Sequence, residues 1–140
     1  MTSHEVGLLD TSVVIVLERL EHLSVLPRLP RITAITLAEL TVGPLVASGS
    51  ERSERQARLQ RVETDFEPLP FDADAARAFG RVAASLRNKG RKTSARTYDA
   101  MIAAVAIANG LPLYTCNPRD FAGIDGLEVV SVTPPNTLTK

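Results

Sequence analysis

Short apolar runs alternating with longer helix-patterned stretches constrain this chain more than any other feature. Residues 5–9, 31–35, 113–116 and 128–132 read as strands, and residues 67–71 as a candidate further strand. Between them the pattern changes to helical spacing, over about Ser12 to Leu20, from Leu37 to Gly43-Pro44, over 51–66, from Asp72 to about Asn88, and over 97–109. Strands that alternate with helices predict an α/β fold, a three-layer sandwich on a mostly parallel sheet. Four acids punctuate this pattern. Asp10 follows Val6-Gly7-Leu8-Leu9, Glu39 lies four residues past Ile35, Asp99 opens an apolar helix, and Asp120 follows Leu113-Tyr114-Thr115-Cys116. Strand ends and helix starts share one edge of a parallel sheet, where such folds bind ligands.

Composition narrows the class. A chain of 140 residues, 44% hydrophobic and without Trp, can bury one aliphatic core, so residues 1–133 are expected to form one domain and 134–140 a polar tail. Sixteen basic and sixteen acidic residues cancel, so global charge announces no polyanionic partner. Cys116 has no second cysteine to pair with and reads as core, which suits a reducing compartment. No basic, apolar leader opens the sequence and no apolar run approaches the ~18 residues of a membrane span. The expectation is a soluble, cytoplasmic protein without a membrane partner.

Each acid alone has a structural explanation. Asp10 can N-cap the first helix. Thr36-Leu37-Ala38-Glu39 fits a capping box. Asp99 suits the positive end of a helix dipole. Asn117-Pro118-Arg119-Asp120 reads as an N-cap followed by proline. Together they ask for more, because carboxylates gathered within a few Å repel by several kcal/mol at intermediate dielectric, on the order of Coulomb estimates. A divalent cation offsets that repulsion. An all-oxygen set favours Mg²⁺, with Mn²⁺ as an alternative. Two histidines and no Cys-x-x-Cys argue against zinc.

Four segments carry a specific resemblance: Leu8-Leu9-Asp10-Thr11-Ser12, Thr33-Ala34-Ile35-Thr36-Leu37-Ala38-Glu39-Leu40, Tyr98-Asp99-Ala100-Met101-Ile102-Ala103 and Tyr114-Thr115-Cys116-Asn117-Pro118-Arg119-Asp120-Phe121. In this order they resemble PIN-domain ribonucleases, in particular the VapC toxins of bacterial toxin–antitoxin pairs. The resemblance implies a PIN-like three-layer α/β/α sandwich. It also implies Mg²⁺-dependent cleavage of cellular RNA by metal-activated water, a VapB-type antitoxin and a homodimer. Asp10, Glu39 and Asp99 match the family's metal-binding acids. Asp120 is favoured over Asn117 for the fourth position because only Asp120 carries charge. Thr11, Ser12 and Thr115 match small hydroxyl positions near the site and equally suit helix and loop capping.

An acidic pocket repels phosphates, so RNA needs positive charge nearby. Arg87, Lys89, Arg91, Lys92 and Arg96 fall in one acid-free stretch that ends three residues before Asp99, and Arg119 is a further candidate. Helix-end complementarity would explain Arg87 and Lys89 alone. A second basic surface is Arg52, Arg55, Arg58 and Arg61 on the 51–66 helix. Val14, Leu17 and Leu20 could offer the antitoxin an apolar surface, or belong to the core. A route through a histidine pair, His4 and His22, is the weaker chemistry. Three other readings stay open. A phospho-receiver expects paired acids on the first loop, and a haloacid-type phosphatase expects Asp-x-Asp, whereas Asp10 is followed by Thr11-Ser12. The third is a PIN-like module that binds RNA or a partner without cutting.

Overall fold

The computed structural model describes residues 4–91 and 96–135. Four strands, β1 (Val6–Leu9), β2 (Leu29–Arg31), β3 (Leu113–Thr115) and β4 (Val129–Ser131), form one parallel sheet in the order β2-β1-β3-β4. Five α-helices cover it: α1 (Thr11–Val16), α2 (Ala34–Val46), α3 (Gly49–Asp65), α4 (Ala73–Asn88) and α5 (Thr97–Ala108). Strand side chains alternate between the two faces. Leu8 and Leu113 point to a core with Ala78, Val82 and Leu86 of α4 and Ile102, Ala103 and Ala106 of α5. Leu9 and Tyr114 point to the other core, with Val13 of α1, Leu40 of α2, and Leu59 and Val62 of α3. The expected three layers are therefore α4/α5, the sheet, and α1/α2/α3.

The second strand lies two residues earlier than expected. Leu29 N–H donates to the Glu5 carbonyl at 2.8 Å, which draws the strand toward β1 across Pro30. Alternate residues of a parallel strand turn their N–H groups to opposite sides, so Pro30's missing donor faces away from β1 and costs no bond there. Thr33 then stops the strand. Its Oγ1 accepts the Thr36 N–H at 3.0 Å, so the helix begins at Ala34 and Ile35 becomes helical. The capping box expected at Thr36-Glu39 is thereby displaced one turn toward the N-terminus, and Glu39 lies free of the cap. The candidate strand at 67–71 reduces to one parallel bridge, Thr33 to Leu69. Prolines 68 and 70 flank Leu69 and have no N–H to extend a ladder.

Helix α1 is shorter than expected, because residues 17–19 tighten into a 3₁₀ turn. Helix α2 continues past Gly43 through Pro44 to Val46. Arginines of α3 satisfy the carbonyls at its end: Arg55 Nη1 donates to Gly43 O at 3.2 Å, and Arg52 Nε to Pro44 O at 3.0 Å and Ala47 O at 2.8 Å. Such side-chain donors are an ordinary way to finish a helix. Within the second basic stretch, Arg52 and Arg55 are thus engaged with backbone carbonyls and Arg61 pairs with Glu18 at 2.5 Å.

Gly7 marks the closest approach in the sheet. A Cβ there would lie 2.5 Å from Tyr114 Cε1 and 3.0 Å from Pro27 Cγ. Both neighbours are buried, so neither can retreat into solvent. Gly7→Ala should destabilise the protein by about 1–3 kcal/mol through overpacking. Gly80 lies on the exposed face of α4 with nothing within 4 Å of an added Cβ. Gly80→Ala should instead stabilise by about 0.5–1 kcal/mol. Urea denaturation of both variants checks the contrast.

Candidate active site

Strand order reverses between β1 and β3: the chain leaves β1 for β2 on one side and returns at β3 on the other. A crevice outside the strand C-terminal ends results from that reversal. Asp10 lies in it and is 4% exposed. Its Oδ1 accepts the Val13 N–H at 3.1 Å and the Ser12 hydroxyl at 2.6 Å, and its Oδ2 accepts the Thr115 hydroxyl at 2.5 Å. Backbone amides of the loop after β3 hold these hydroxyls in turn. Cys116 N–H donates to Ser12 Oγ at 3.0 Å, and Asn117 N–H to Thr115 Oγ1 at 2.9 Å. Asp10 is thus both an N-cap and a buried carboxylate tied to two strands. The capping explanation and the site explanation describe the same geometry.

Glu39, on the second turn of α2, is half-buried and accepts the Thr11 hydroxyl at 2.6 Å. Thr11 Oγ1 is 2.9 Å from Thr36 Oγ1, a buried hydroxyl that the sequence pattern presented only as a cap. Asp99 lies in the first turn of α5, which begins at the same sheet edge because α5 feeds β3. Asp120 lies in the 3₁₀ turn Pro118–Phe121, and its Oδ1 pairs with Arg96 Nη1. Asn117 opens that turn with an exposed side chain that forms no cap.

Charge shows that the four acids belong together. Burial pushes the Asp99 carboxyl up to about 6, and the charges of Asp120, Asp10 and Glu39 push it the same way against the pull of Arg96. Burial also raises Asp10, in opposition to its hydroxyl and amide donors. The Cys116 thiol is raised too, by burial and then by Asp10, against a hydrogen bond from Ser12. Among the described residues, no three His, Cys, Asp or Glu side chains close around a single point as a chelating cluster. Asp10, Glu39 and Asp120 each spend oxygens on hydroxyls or a guanidinium. The donor set is nonetheless all hard oxygen, which fits Mg²⁺ or Mn²⁺ and excludes a thiolate or imidazole site. The two histidines are elsewhere. His4 precedes β1 and pairs with Glu128, just before β4, at 2.7 Å, at the opposite edge of the sheet; His22 is exposed beyond α1.

The basic stretch divides by role. Lys89 pairs with Asp125 at 3.3 Å. Arg91 Nη1 donates to the carbonyls of Arg119 at 3.2 Å and Ala122 at 2.7 Å, bracing the turn that carries Asp120. Arg96 meets Asp120 itself, and Lys92 lies outside the described residues. Arg87 and Arg119 are exposed. A groove of about 490 Å³ opens beside the acids, lined by Thr11, Glu39, Gly43, Glu54, Arg55 and Arg58 among others. Of the two readings of Val14, Leu17 and Leu20, core suits Val14, which is buried, while Leu17 and Leu20 are half-buried against the α1/α2/α3 core. Exposed apolar side chains include Ile15 of α1, Leu23 and Val25 after it, and the last turns of α2, where Val42, Leu45 and Val46 are 53%, 74% and 72% exposed.

Residues 7–127 match the PIN domain, nearly the whole described chain. This chain belongs to the PIN-domain family. Within it the chain is similar to Ribonuclease VapC5 of Mycobacterium tuberculosis, 41% identical over 134 residues that cover 94% of this chain and 96% of that one. It is 33% identical to Ribonuclease VapC1 of Rickettsia felis over 130 residues, 90% of this chain and 96% of that one. Its fold matches a member of the VapBC family of toxin-antitoxin systems, VapBC-5 from Mycobacterium tuberculosis, with a TM-score of 0.80 and 40% identity, covering 91% of this chain and 99% of that chain. Among the described residues of this PIN domain, no helix is long and apolar enough to cross a membrane.

The raised Asp99 carboxyl has a consequence for stability. Between its ordinary value of 3.8 and about 6, the folded protein holds a proton that the unfolded chain releases. Stability is therefore lost as pH rises through that window. Asp99→Asn removes the charge and should stabilise the protein at pH 7 by on the order of 1–2 kcal/mol after solvent screening, with the gain vanishing below about pH 4. Thermal denaturation of both forms across pH 3–8 measures it; a gain that persists unchanged at pH 3 would contradict the electrostatic origin.

Proposed function

We propose that the chain is a Mg²⁺-dependent endoribonuclease, the cytoplasmic toxin of a toxin–antitoxin pair, with Mn²⁺ able to replace Mg²⁺. The observation that carries this reading is the convergence of Asp10, Glu39, Asp99 and Asp120 on one electrostatic site at the crevice between β1 and β3. Similarity to VapC ribonucleases and to a VapBC toxin-antitoxin structure supports the reaction class and the partner.

Asp10, Glu39, Asp99 and Asp120 would hold the cation. When bound, the metal supplies a water of lowered pKa and stabilises charge on the phosphate. The chain's own part is to gather and aim the acids. Ser12, Thr115 and the Val13 amide fix both oxygens of Asp10. Thr11 aims Glu39, with Thr36 beside it. Asp99 accepts no hydrogen bond from the described residues, so its oxygens stay open to the cation, and a bound cation would relieve the repulsion from Asp120, Asp10 and Glu39 that helps to raise its carboxyl to about 6. Arg87 and Arg119 are placed to meet RNA phosphates, while Lys89 and Arg91 act within the fold. The apolar turns of α2 at Val42, Leu45 and Val46 suit a VapB-type antitoxin, and a homodimer remains part of the reading.

Cleavage of single-stranded RNA by purified protein tests the proposal. EDTA should abolish cleavage, and Mg²⁺ or Mn²⁺ restore it. An RNA with one 2′-deoxynucleotide at the cut site should still be cut, since water and not the 2′-hydroxyl attacks. Asp10→Asn and Asp99→Asn should each lose at least about a hundredfold in rate, as removal of charge-stabilising groups commonly does. Cleavage that survives EDTA would refute the metal route, and binding of RNA without any cleavage would favour a non-cutting module.

The fourth acid and the basic surface give separate tests. Asp120→Asn should lose far more activity than Asn117→Ala, whose side chain is exposed and makes no cap. The opposite order of rates would assign the position to Asn117. Replacing Arg87 and Arg119 with Ala should lower the log–log salt slope of RNA binding by roughly 0.7 each. Arg91→Ala should leave the slope unchanged and lower the melting temperature, because its guanidinium is spent on two carbonyls.

A further inference from the structure

Two arginines hold the turn that carries Asp120, and they hold different parts of it. Arg91 binds the backbone, at the carbonyls of Arg119 and Ala122. Arg96 binds the side chain, through Nη1 to Asp120 Oδ1. The backbone brace does not depend on the carboxylate, so Asp120 can change partner without the turn moving. Arg96 sits at the N-terminus of α5, three residues before Asp99, with 37% of its side chain exposed against 33% for Asp120. Among the described residues its guanidinium has this one partner, one nitrogen on one oxygen, and leaves its remaining donors unused. An ion pair this exposed contributes little net stability and exchanges readily.

We propose that Arg96 is a positioning residue that competes with the divalent cation for Asp120, and that passes to an RNA phosphate when the cation takes the carboxylate. This rests on the metal-dependent reading of the acid set. The chemistry favours the exchange in both directions. Asp120 gains a divalent partner in place of a monovalent one. A guanidinium displaced at the rim of the acid cluster meets its best alternative acceptor, a phosphate that can take two of its N–H groups. Arg96 also supplies the positive charge that opposes the acids at Asp99. Its release therefore leaves the acids more negative as the cation arrives. The sequence reading that placed Arg96 in a uniform basic patch for RNA gives it only half of this role.

Calorimetric titration with Mn²⁺ tests the competition without any turnover. Arg96→Gln should bind Mn²⁺ roughly three- to tenfold more tightly than wild type, whereas Arg96→Lys, which keeps the charge, should stay within about twofold. Arg119→Gln, which removes a neighbouring charge that holds no acid, should also stay within about twofold. In an Asp120→Asn background, adding Arg96→Gln should tighten Mn²⁺ binding by much less, because only the through-space charge effect of Arg96 at Asp99 remains. Binding of a short single-stranded RNA analogue with cleavage-resistant linkages should weaken in Arg96→Gln more in Mn²⁺ than in EDTA. Unchanged or weaker Mn²⁺ affinity in Arg96→Gln overturns the proposal, and so does equal tightening with and without Asp120. A wild-type protein that takes up no Mn²⁺ would overturn the metal reading itself, a result distinct from Mn²⁺ uptake that is indifferent to Arg96.

Discussion

A carboxylate buried at the point where strand order reverses is the constraint on which the rest of this site depends. Asp10 cannot be ionised in an apolar crevice unless donors surround it. The fold supplies them from two elements: the first turn of α1 gives the Val13 amide and the Ser12 hydroxyl, and Thr115 reaches across from β3. The hydroxyls are themselves oriented by the amides of Cys116 and Asn117. Pairing of β1 with β3, capping of α1 and preparation of the acid are therefore one network. Among the described residues no buried side-chain nitrogen or oxygen lacks a partner, as a network in a poorly solvated crevice requires.

The other three acids are half-buried and less enclosed than Asp10. Glu39 is held by one hydroxyl, Asp99 by none among the described residues, and Asp120 by a guanidinium that solvent can reach. These partners set chemically similar groups apart: the buried acid has both oxygens fixed, while Asp120 meets a guanidinium that is partly exposed. Asp99 is raised to about 6 first by burial and then by the charges of Asp120, Asp10 and Glu39.

Several elements were legible because local chemistry and tertiary packing agree. Asp72 caps α4, and its Oδ1 accepts the Ala75 amide at 3.0 Å, where the acid-before-apolar pattern put it. On α4, Ala75, Ala78, Val82 and Leu86 are buried, while Phe79 and Ala83 are half-buried. Helical periodicity gives the centre of a buried stripe and not its width, which the neighbouring α5 determines. The β-branched run Ile32-Thr33-Ala34-Ile35 misled for the opposite reason. Its strand propensity lost to one hydroxyl, Thr33 Oγ1, which starts α2 within the run.

What the sequence determined by itself was the alternation of strand and helix, the parallel sheet, and the position of each acid at a strand end or helix start. These follow from local periodicity and from the geometry common to parallel sheets, so residues far apart in sequence could be assigned to one edge. Only the tertiary structure decided which donors each acid meets, because hydrogen bonds across 105 residues, as between Thr115 and Asp10, depend on strand order and register. It also sorted the arginines. Net charge and spacing make Arg87, Arg91 and Arg96 alike, whereas the fold spends Arg91 on carbonyls, joins Arg96 to Asp120 and leaves Arg87 in solvent. A charge pattern records where a cation lies along the chain, but its partner is set by whichever acceptor the folded backbone brings within reach.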